Sequence, residues 1–305
     1  MKQSMVIQSQ QQLEERRSPS IARRWLRRLL RSKTGTVGFL IVSLVFLVAF
    51  LAPVITPHDP SATNPMLMFK PPAWQEGGEP GYWLGTDNLG RDLLSRIIAG
   101  TQITLLVGIC SVLVAGTIGI LVGIIAGFYG GIIDSMLMRI VDSFLALPNI
   151  LLTLVVVKIL GPSVLTLIFV LGITNWVSYA RVIRSEVLSL KEREFVKAAR
   201  SMGVRNGIIL FRHLVPNILP SFIVISTLSV ATTIILEASL SFLGLGIQPP
   251  DISWGLMLNS GRDYLASSWW VATFPGLAIT ITVLGIIFLG DWLRDVLDPR
   301  SQVRK

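Results

Sequence analysis

One polar segment, Lys191–Pro216, lies between two long apolar runs and has the sequence KEREFVKAARSMGVRNGIILFRHLVP. Its centre, Lys197–Val204, reads K-A-A-R-S-M-G-V. This order predicts a helix of small residues, a glycine stop, a second short amphipathic helix over Val204–Leu214 and a closing proline. Two short helices that protrude together can fill a groove on another protein. The chemistry predicted for this segment is therefore the binding of a protein partner.

The docking hypothesis depends on small and apolar side chains within this segment. Ala198 and Ala199 leave a smooth helix surface, and Gly203 permits the left-handed backbone that a helix stop needs. Apolar residues of the second helix supply further contacts. An ordinary amphipathic loop lying on a membrane surface is the alternative. The predicted docking residues are Lys197, Ala198, Ala199, Gly203, Val204, Arg205, Asn206, Ile208, Ile209, Phe211 and Arg212.

The elements that position this segment are predicted membrane spans. Hydrophobic residues make up 51% of the 305 residues and charged residues 15%, with a mean hydropathy of +0.65, which is too apolar for a soluble domain. A helix crosses a bilayer core with about 20 apolar residues. The sequence thus predicts an all-α polytopic membrane protein with six transmembrane helices, near residues 37–55, 103–127, 139–160, 163–183, 217–238 and 271–291.

The distribution of basic residues predicts the orientation. Lys and Arg accumulate in cytoplasmic segments, and with six spans both termini lie on one side. We therefore predict cytoplasmic tails over 1–36 and 292–305, around a transmembrane domain over 37–291. This topology accounts for the net charge of +9, so no nucleic-acid partner is predicted. Only five of the 27 basic residues fall on the opposite side: Lys70, Arg91, Arg96, Lys158 and Arg262.

The segment Ile21–Arg31 predicts a basic amphipathic helix. Its apolar residues occupy one face and its arginines the other at 100° per residue. Such a helix lies in the headgroup layer of a membrane, where anionic lipids add roughly 1 kcal/mol per nearby Arg. Membrane lipids are therefore a predicted partner, and contact with another protein is the alternative.

Charged residues on the opposite side have two interpretations each. Glu237 ends the predicted fifth span, as either a gate or pathway residue or a hydrogen-bonded structural carboxylate. Asp87, Arg91 and Asp92 can pair locally and cap the second span, with Thr86 or Asp87 as its N-cap. Contact with a substrate is the alternative for that cluster.

Catalysis is not predicted for this chain. The sequence contains no G-x-x-x-x-G-K-[ST] phosphate-binding loop, so we expect it not to hydrolyse nucleotide. His58 and His213 are predicted on opposite faces of the bilayer, which supports neither a metal pair nor a Ser-His-Asp arrangement. The single cysteine, Cys110, lies within a predicted span and forms no intramolecular disulfide. We expect no enzyme activity, no metal and no cofactor in this chain.

The pattern K-A-A-R-S-M-G at 197–203, closed by Pro216, resembles the "EAA" loop of permease subunits in binding-protein-dependent ABC importers. The acidic residue that names that loop is Lys197 here, and the usual I-x-L-P ending is H-L-V-P. The segment PPAWQEGG at 71–78 makes the chain most similar to the "C" permease of dipeptide and oligopeptide systems. Other motifs resemble the same dipeptide/oligopeptide/nickel branch: LGTDNLGRD at 84–92, MRIVD at 138–142, SFLGLGIQPP at 241–250 and GDWLRDVLDP at 290–299.

This resemblance implies the type I ABC importer permease fold, with a permease domain over 37–291 and a coupling loop over 191–216. It implies a bacterial cytoplasmic (inner) membrane location. The implied partners are a homologous second permease, two cytosolic ATP-binding subunits that hold ATP and Mg, and an extracytoplasmic substrate-binding protein.

The function implied is ATP-driven import of dipeptides or oligopeptides by alternating access, with this chain forming half of the translocation path. Import of nickel or another small solute is the alternative. A self-sufficient secondary transporter would need inverted repeats, and a channel would need a filter-like segment. The sequence shows neither feature.

Overall fold

The computed structural model describes residues 21–297, which form helices and contain no strand. We number the helices in chain order and treat the continuous helix Asn206–Phe242 as one element. They are α1 (Ile21–Arg31), α2 (Lys33–Ile55), α3 (Leu93–Tyr129), α4 (Gly131–Leu145), α5 (Asn149–Leu160), α6 (Val164–Lys191), α7 (Glu194–Ser201), α8 (Asn206–Phe242), α9 (Trp254–Gly261) and α10 (Trp270–Leu297).

Five of these helices are long and apolar enough to cross a membrane: α2, α3, α6, α8 and α10. They confirm five of the predicted spans and extend most of them. The predicted third span, 139–160, is a bent pair instead, because α4 and α5 meet at 83°. The bend lies at Pro148, which precedes α5 and cannot continue a helix. The segment 128–138, which separates the predicted second and third spans, is largely helical, since α4 begins at Gly131.

The helices α3 and α6 pack with their backbones almost in contact along a row of glycines. A Cβ atom added at Gly119 would lie 2.2 Å from the Tyr179 Cβ atom and 2.7 Å from the Trp176 carbonyl oxygen. A Cβ atom at Gly123 would lie 2.7 Å from the Ala180 carbonyl oxygen. Small residues at such positions let transmembrane helices approach closely and gain van der Waals contact.

The two helices run parallel, which determines the path of the chain between them. Gly127 in α3 faces Val187 in α6, whereas Gly172 faces Val114. The chain must therefore return the length of α6, 28 residues or roughly 42 Å, between the end of α3 and the start of α6. That distance exceeds the roughly 30 Å thickness of a bilayer core. The bent pair is thus a full crossing, and the predicted count of six crossings holds.

Contacts of α4 and α5 with α6 show the direction in which the chain crosses back between α3 and α6. Near the end of α6, Arg184 forms an ion pair with Asp134 of α4, with a nitrogen–oxygen distance of 2.5 Å. Near the middle of α6, the Asn149 amide of α5 donates to Asn175 at 3.0 Å. Because the partners in α6 move toward its start as the chain proceeds, α4 and α5 together run antiparallel to α6.

One end of the bundle, which we call the loop end, carries residues 191–216 together with both ends of the described chain. The rings of Trp25 in α1 and Trp292 in α10 contact each other with centroids 6.0 Å apart. Leu29 of α1 is also buried. The helices extend past the predicted tail boundaries at 36 and 292, since α2 begins at Lys33 and α10 continues to Leu297.

The opposite end, which we call the distal end, is closed by the loop 56–92 and the segment 243–269. Helix α3 begins there at Leu93, ten residues before the predicted start, because the Asp92 carboxylate caps it by accepting from the Ser95 amide at 3.0 Å. The predicted N-caps Thr86 and Asp87 are wrong for this reason. Asp87 instead forms an ion pair with Arg91 at 2.7 Å, which is the local pairing predicted for this cluster.

The glycine row predicts where the bundle tolerates a methyl group. Gly119→Ala should destabilise the protein by about 1–3 kcal/mol, the usual effect of overpacking a tight helix contact. Gly276→Ala is the matched control, because the atom nearest to its added Cβ lies 3.6 Å away. Thermal unfolding midpoints of the purified variants in detergent compare the two. Equal midpoints for both variants would contradict the close α3–α6 contact.

Candidate functional site

The loop between α6 and α8 contains one short helix, α7, that ends in a Schellman motif. Gly203 has φ of +74°, its amide donates to the Arg200 carbonyl at 2.9 Å, and the Val204 amide donates to the Ala199 carbonyl at 3.1 Å. This pattern is the helix stop predicted from the glycine. Because φ is positive, a side chain at this position would strain the turn even where space is open.

The second predicted helix of the loop is not a separate element. The chain is helical without interruption from Asn206 through Pro216 into the fifth span, so Pro216 does not close the loop. A π turn over Ile209–Leu214 precedes the proline, with the Val215 amide donating to the Leu210 carbonyl. Wider turns of this kind accommodate a helix that lacks one backbone donor. The loop therefore continues directly into α8.

The inner face of the loop packs into the core of the bundle. Val196 and Ala199 of α7 join Ile209 of α8 in one buried cluster with Phe128 and Val187 of the glycine-packed pair. Ala199 is 4% exposed and Ile209 is fully buried. The prediction that these two residues face a partner is wrong at this point, because the protein's own helices cover them.

Polar contacts also attach the loop to α3. The Lys191 Nζ atom donates to the carbonyl oxygens of Gly127 at 3.0 Å and Phe128 at 2.8 Å, at the last turn of α3. A cation is favourable there because the carbonyls of a helix C-terminus have no helical partners. The Arg200 guanidinium lies over the Phe128 ring, 5.5 Å from its centroid. The last residue of α6 and the last turn of α7 are therefore both tied to the last turn of α3.

The outer face of the loop is a surface of apolar and basic side chains. Phe211 is 73% exposed and Met202, which the sequence analysis missed, is 76% exposed. The methionine sits immediately before Gly203, a position that faces outward in a Schellman turn. A shallow groove beside Pro216 is lined by Ile208, Phe211 and Arg212. The remaining predicted residues are exposed, apart from half-buried Val204: Lys197, Ala198, Gly203, Arg205, Asn206, Ile208 and Arg212.

One ion pair lies on this outer face. The Lys197 ammonium lies 2.9 Å from the Glu192 carboxylate. Its hydrogen bond, together with its charge, lowers the pKa of Glu192. Both side chains are exposed, so the pair contributes little to stability and leaves Lys197 available to another protein.

Glu237 lies at the distal end, far along α8 from the loop. Its side chain is fully buried, and its Oε1 atom accepts from the hydroxyls of Ser241 at 2.7 Å and Ser253 at 2.9 Å. The Ser241 hydroxyl also accepts from the Ile247 amide at 3.0 Å. These contacts match the structural alternative, although the Oε2 atom of Glu237 is buried without a hydrogen-bond partner among residues 21–297. They fasten the segment 243–253 to the end of α8.

The loop has one face packed on the bundle and one face open to a partner, so it can link a bound protein to the membrane-crossing helices. Its inner face is continuous with α3, α6 and α8, whereas its outer face presents apolar surface that the described helices leave uncovered. Exposed apolar surface rimmed by charges is typical of protein-binding sites. A protein that binds the outer face would thus act on three membrane-crossing helices at once.

Two family models match this chain. Residues 119–303 match the model described as the binding-protein-dependent transport system inner membrane component. Residues 20–72 match the N-terminal transmembrane domain of oligopeptide transport permease C.

Several curated proteins are similar over most of their length. The chain is 40% identical to the di/tripeptide transport system permease protein DppC of Pseudomonas aeruginosa, over 92% of this chain and 93% of that protein. It is 46% identical to the dipeptide transport system permease protein DppC of Escherichia coli K12, over 88% and 90% respectively.

Solved structures of the MetNI methionine ABC transporter in inward-facing conformations have a similar fold. Two crystal forms match with TM-scores of 0.53 and 0.55 and with 22% and 20% identity. Both matches cover 68% of this chain and nearly all of the compared chain, 96% and 98%. The fold, the two family models and the identity to curated permeases agree. The chain therefore belongs to the family of binding-protein-dependent ABC transport system inner membrane components, in the branch of the "C" permeases of peptide systems.

Proposed function

We propose that this chain is the membrane-spanning permease subunit of an ATP-driven, binding-protein-dependent importer of dipeptides and oligopeptides. The observation that carries the substrate class is identity of 40% and 46% to permeases named for dipeptides and tripeptides, across about nine-tenths of the chain. Nickel, the alternative substrate, has no comparable support among these relatives.

The proposed assembly contains a homologous second permease, two ATP-binding subunits and an extracytoplasmic substrate-binding protein. This chain would form half of the translocation path, and ATP and Mg would be held by the ATP-binding subunits. We place the complex in the bacterial inner membrane with both termini and the loop end in the cytoplasm. The excess of basic residues at the loop end supports this orientation.

The loop 191–216 is the proposed coupling element. An ATP-binding subunit would seat its groove on the exposed side chains of Met202, Ile208 and Phe211. Its movement would pass through the buried cluster to α6 and α8, and through Lys191 and Arg200 to α3. Because a packed core is close to incompressible, displacement of the loop displaces the ends of these helices.

Dipeptide uptake tests the proposed function directly. We expect cells that express the complete transporter to accumulate a labelled dipeptide, and cells that lack this chain to lose that uptake. Uptake should require ATP hydrolysis by the assembled complex. A complete complex that accumulates nickel and no dipeptide would contradict the proposed substrate class.

Substitution of the outer face tests docking. Phe211→Glu places a charge on a side chain that the protein itself does not bury, so the bundle should fold normally. If Phe211 is a docking anchor, its loss should cost about 2 kcal/mol or more, roughly 30-fold in affinity for the ATP-binding subunits. Co-purification of those subunits with the permease measures this change.

Met66→Glu provides the matched control for docking. Met66 is 88% exposed and belongs to the loop that closes the distal end. We expect this variant to retain the ATP-binding subunits in full. Equal retention by Phe211→Glu and Met66→Glu would show that the outer face of the loop does not bind them.

Substitution of Lys191 separates two functions of the loop: binding of the ATP-binding subunits and transmission of movement to α3. Lys191→Met removes the hydrogen bonds to α3 and leaves the outer face unchanged. Charged hydrogen bonds contribute about 1.5–3 kcal/mol, so the loop should move with less effect on α3. We expect the complex to assemble and hydrolyse ATP while transporting fewer dipeptides for each ATP consumed. Lys158→Gln, at an exposed position in α5, is the control and should keep the wild-type ratio.

A further inference from the structure

A cavity of about 610 Å³ lies beside the loop, between α6, α8 and the last turns of α10. Its walls are apolar where the helices face one another, with Val182, Leu190 and Val224 among them. Six polar side chains interrupt these walls: Glu186, Ser189, Arg193, Asn217, Ser221 and Arg294. Its volume falls within the roughly 300–1,000 Å³ typical of small-molecule sites.

The charged side chains that line this cavity form no ion pair within residues 21–297. Within residues 21–297, the buried Oε2 atom of Glu186 has no hydrogen-bond partner, although the Ser221 hydroxyl lies beside the carboxylate. Neither Arg193 nor Arg294 forms an ion pair with another residue of that range. A buried carboxylate oxygen is costly unless a counter-charge or water satisfies it, whereas Arg193 and Arg294 are exposed to solvent. The cavity therefore offers one anion and two cations to a ligand.

This set of groups matches the chemistry of a short peptide with free termini. A carboxylate such as Glu186 accepts hydrogen bonds from an ammonium, and guanidinium groups pair with a carboxylate. Asn217 directs its Nδ2 atom to the His213 carbonyl at 2.6 Å, which leaves its amide oxygen for a peptide N–H group. Apolar walls accept side chains of different shape. The lining can therefore bind the termini and backbone that all short peptides share, and it selects little among their side chains.

We infer that this cavity is a binding site for a zwitterionic peptide at the loop end of the permease, where the peptide is held before its release. This inference rests on the proposed function of peptide import. Glu186 holds the ammonium terminus, and Arg193 and Arg294 hold the carboxylate terminus. Ser189, Asn217 and Ser221 provide hydrogen-bonding groups along the peptide backbone.

The site is mechanically joined to the coupling loop. Leu190 lines the cavity and also belongs to the buried cluster that holds Val196 and Ala199 of α7. Arg193 is the residue that immediately precedes α7. A displacement of the loop therefore moves one wall and one charged group of the cavity, and the affinity for peptide changes with the position of the loop.

Calorimetric titration of the purified complex tests this site without the substrate-binding protein, so that peptide selection at entry does not interfere. The complex of permeases and ATP-binding subunits is placed in phosphatidylcholine nanodiscs and titrated with L-alanyl-L-alanine. We expect binding that weakens about tenfold or more when either the amino terminus is acetylated or the carboxyl terminus is amidated, because each change removes charge-assisted hydrogen bonds. Equal affinity for all three peptides would overturn the inference without any substitution.

Two variants test which charged side chain of the cavity binds which terminus of the peptide. Glu186→Gln should weaken binding of the free dipeptide and remove its advantage over the acetylated form. A double variant, Arg193→Gln with Arg294→Gln, should remove the advantage over the amidated form. Asp291→Asn and Arg139→Gln change exposed charges outside the cavity and should bind as the wild type does. Variants that keep the wild-type discrimination would overturn the assignment.

A phospholipid headgroup is the competing occupant of this cavity, because phosphatidylethanolamine also carries an ammonium and an anion. The titration is therefore repeated in nanodiscs that contain this lipid. Unchanged affinity for the dipeptide supports a peptide site. Abolished binding would assign the cavity to the lipid headgroup and overturn the inference.

Whole-cell uptake by the wild-type transporter, measured in parallel, distinguishes failure of this site from failure of the proposed function. Dipeptide uptake without calorimetric binding refutes the cavity site alone. Absent uptake refutes the proposed function itself, and the cavity site with it.

Discussion

The close contact between α3 and α6 determines both the path of the chain through the bundle and the place where the loop is attached. Gly119 and Gly123 bring the two backbones so near that no larger residue fits between them. Because the two helices run parallel, the chain between them has to recross the whole bundle. Pro148 bends that crossing, so the third span exists as two short helices. The same contact brings the ends of α3 and α6 level, which allows Lys191 to reach the last carbonyls of α3.

The loop derives its properties from that shared end. A helix as short as α7 is marginal in isolation and is stabilised here by burial of Val196 and Ala199. The Schellman turn at Gly203 reverses the chain so that α8 starts next to α7, and the π turn carries α8 past Pro216. One face of the loop is thereby part of the core. The opposite face remains uncovered, and rigid attachment to three helices lets force applied there reach the membrane-crossing part of the protein.

Much of this architecture follows from the sequence, because apolar length decides which segments cross a membrane. Helix boundaries were less accurate: α3 begins at Leu93 since Asp92 caps it, a polar start that hydropathy alone places outside the span. The positive φ of Gly203 was predictable from its residue type after a helical segment. The burial of Ala199 and Ile209 was not, because a repeating pattern identifies a face without telling whether the chain itself or a partner covers it. The cavity charges come from segments about a hundred residues apart, and no local pattern joins them.

The two ends of the bundle differ in how exposed their charged side chains are. At the distal end, Glu237 is bound by two serines, and the Trp270 indole donates to the Thr86 carbonyl at 3.1 Å, so neighbouring segments hold one another closed. Each such bond contributes about 0.5–1.5 kcal/mol, and leaving its buried partner unpaired costs more. At the loop end, Arg193 and Arg294 are exposed and form no ion pair within residues 21–297. Separating the segments at the distal end therefore costs energy, whereas the exposed charges at the loop end are available to a ligand. A coupling loop attached beside those charges is well placed to supply that energy when another protein moves it.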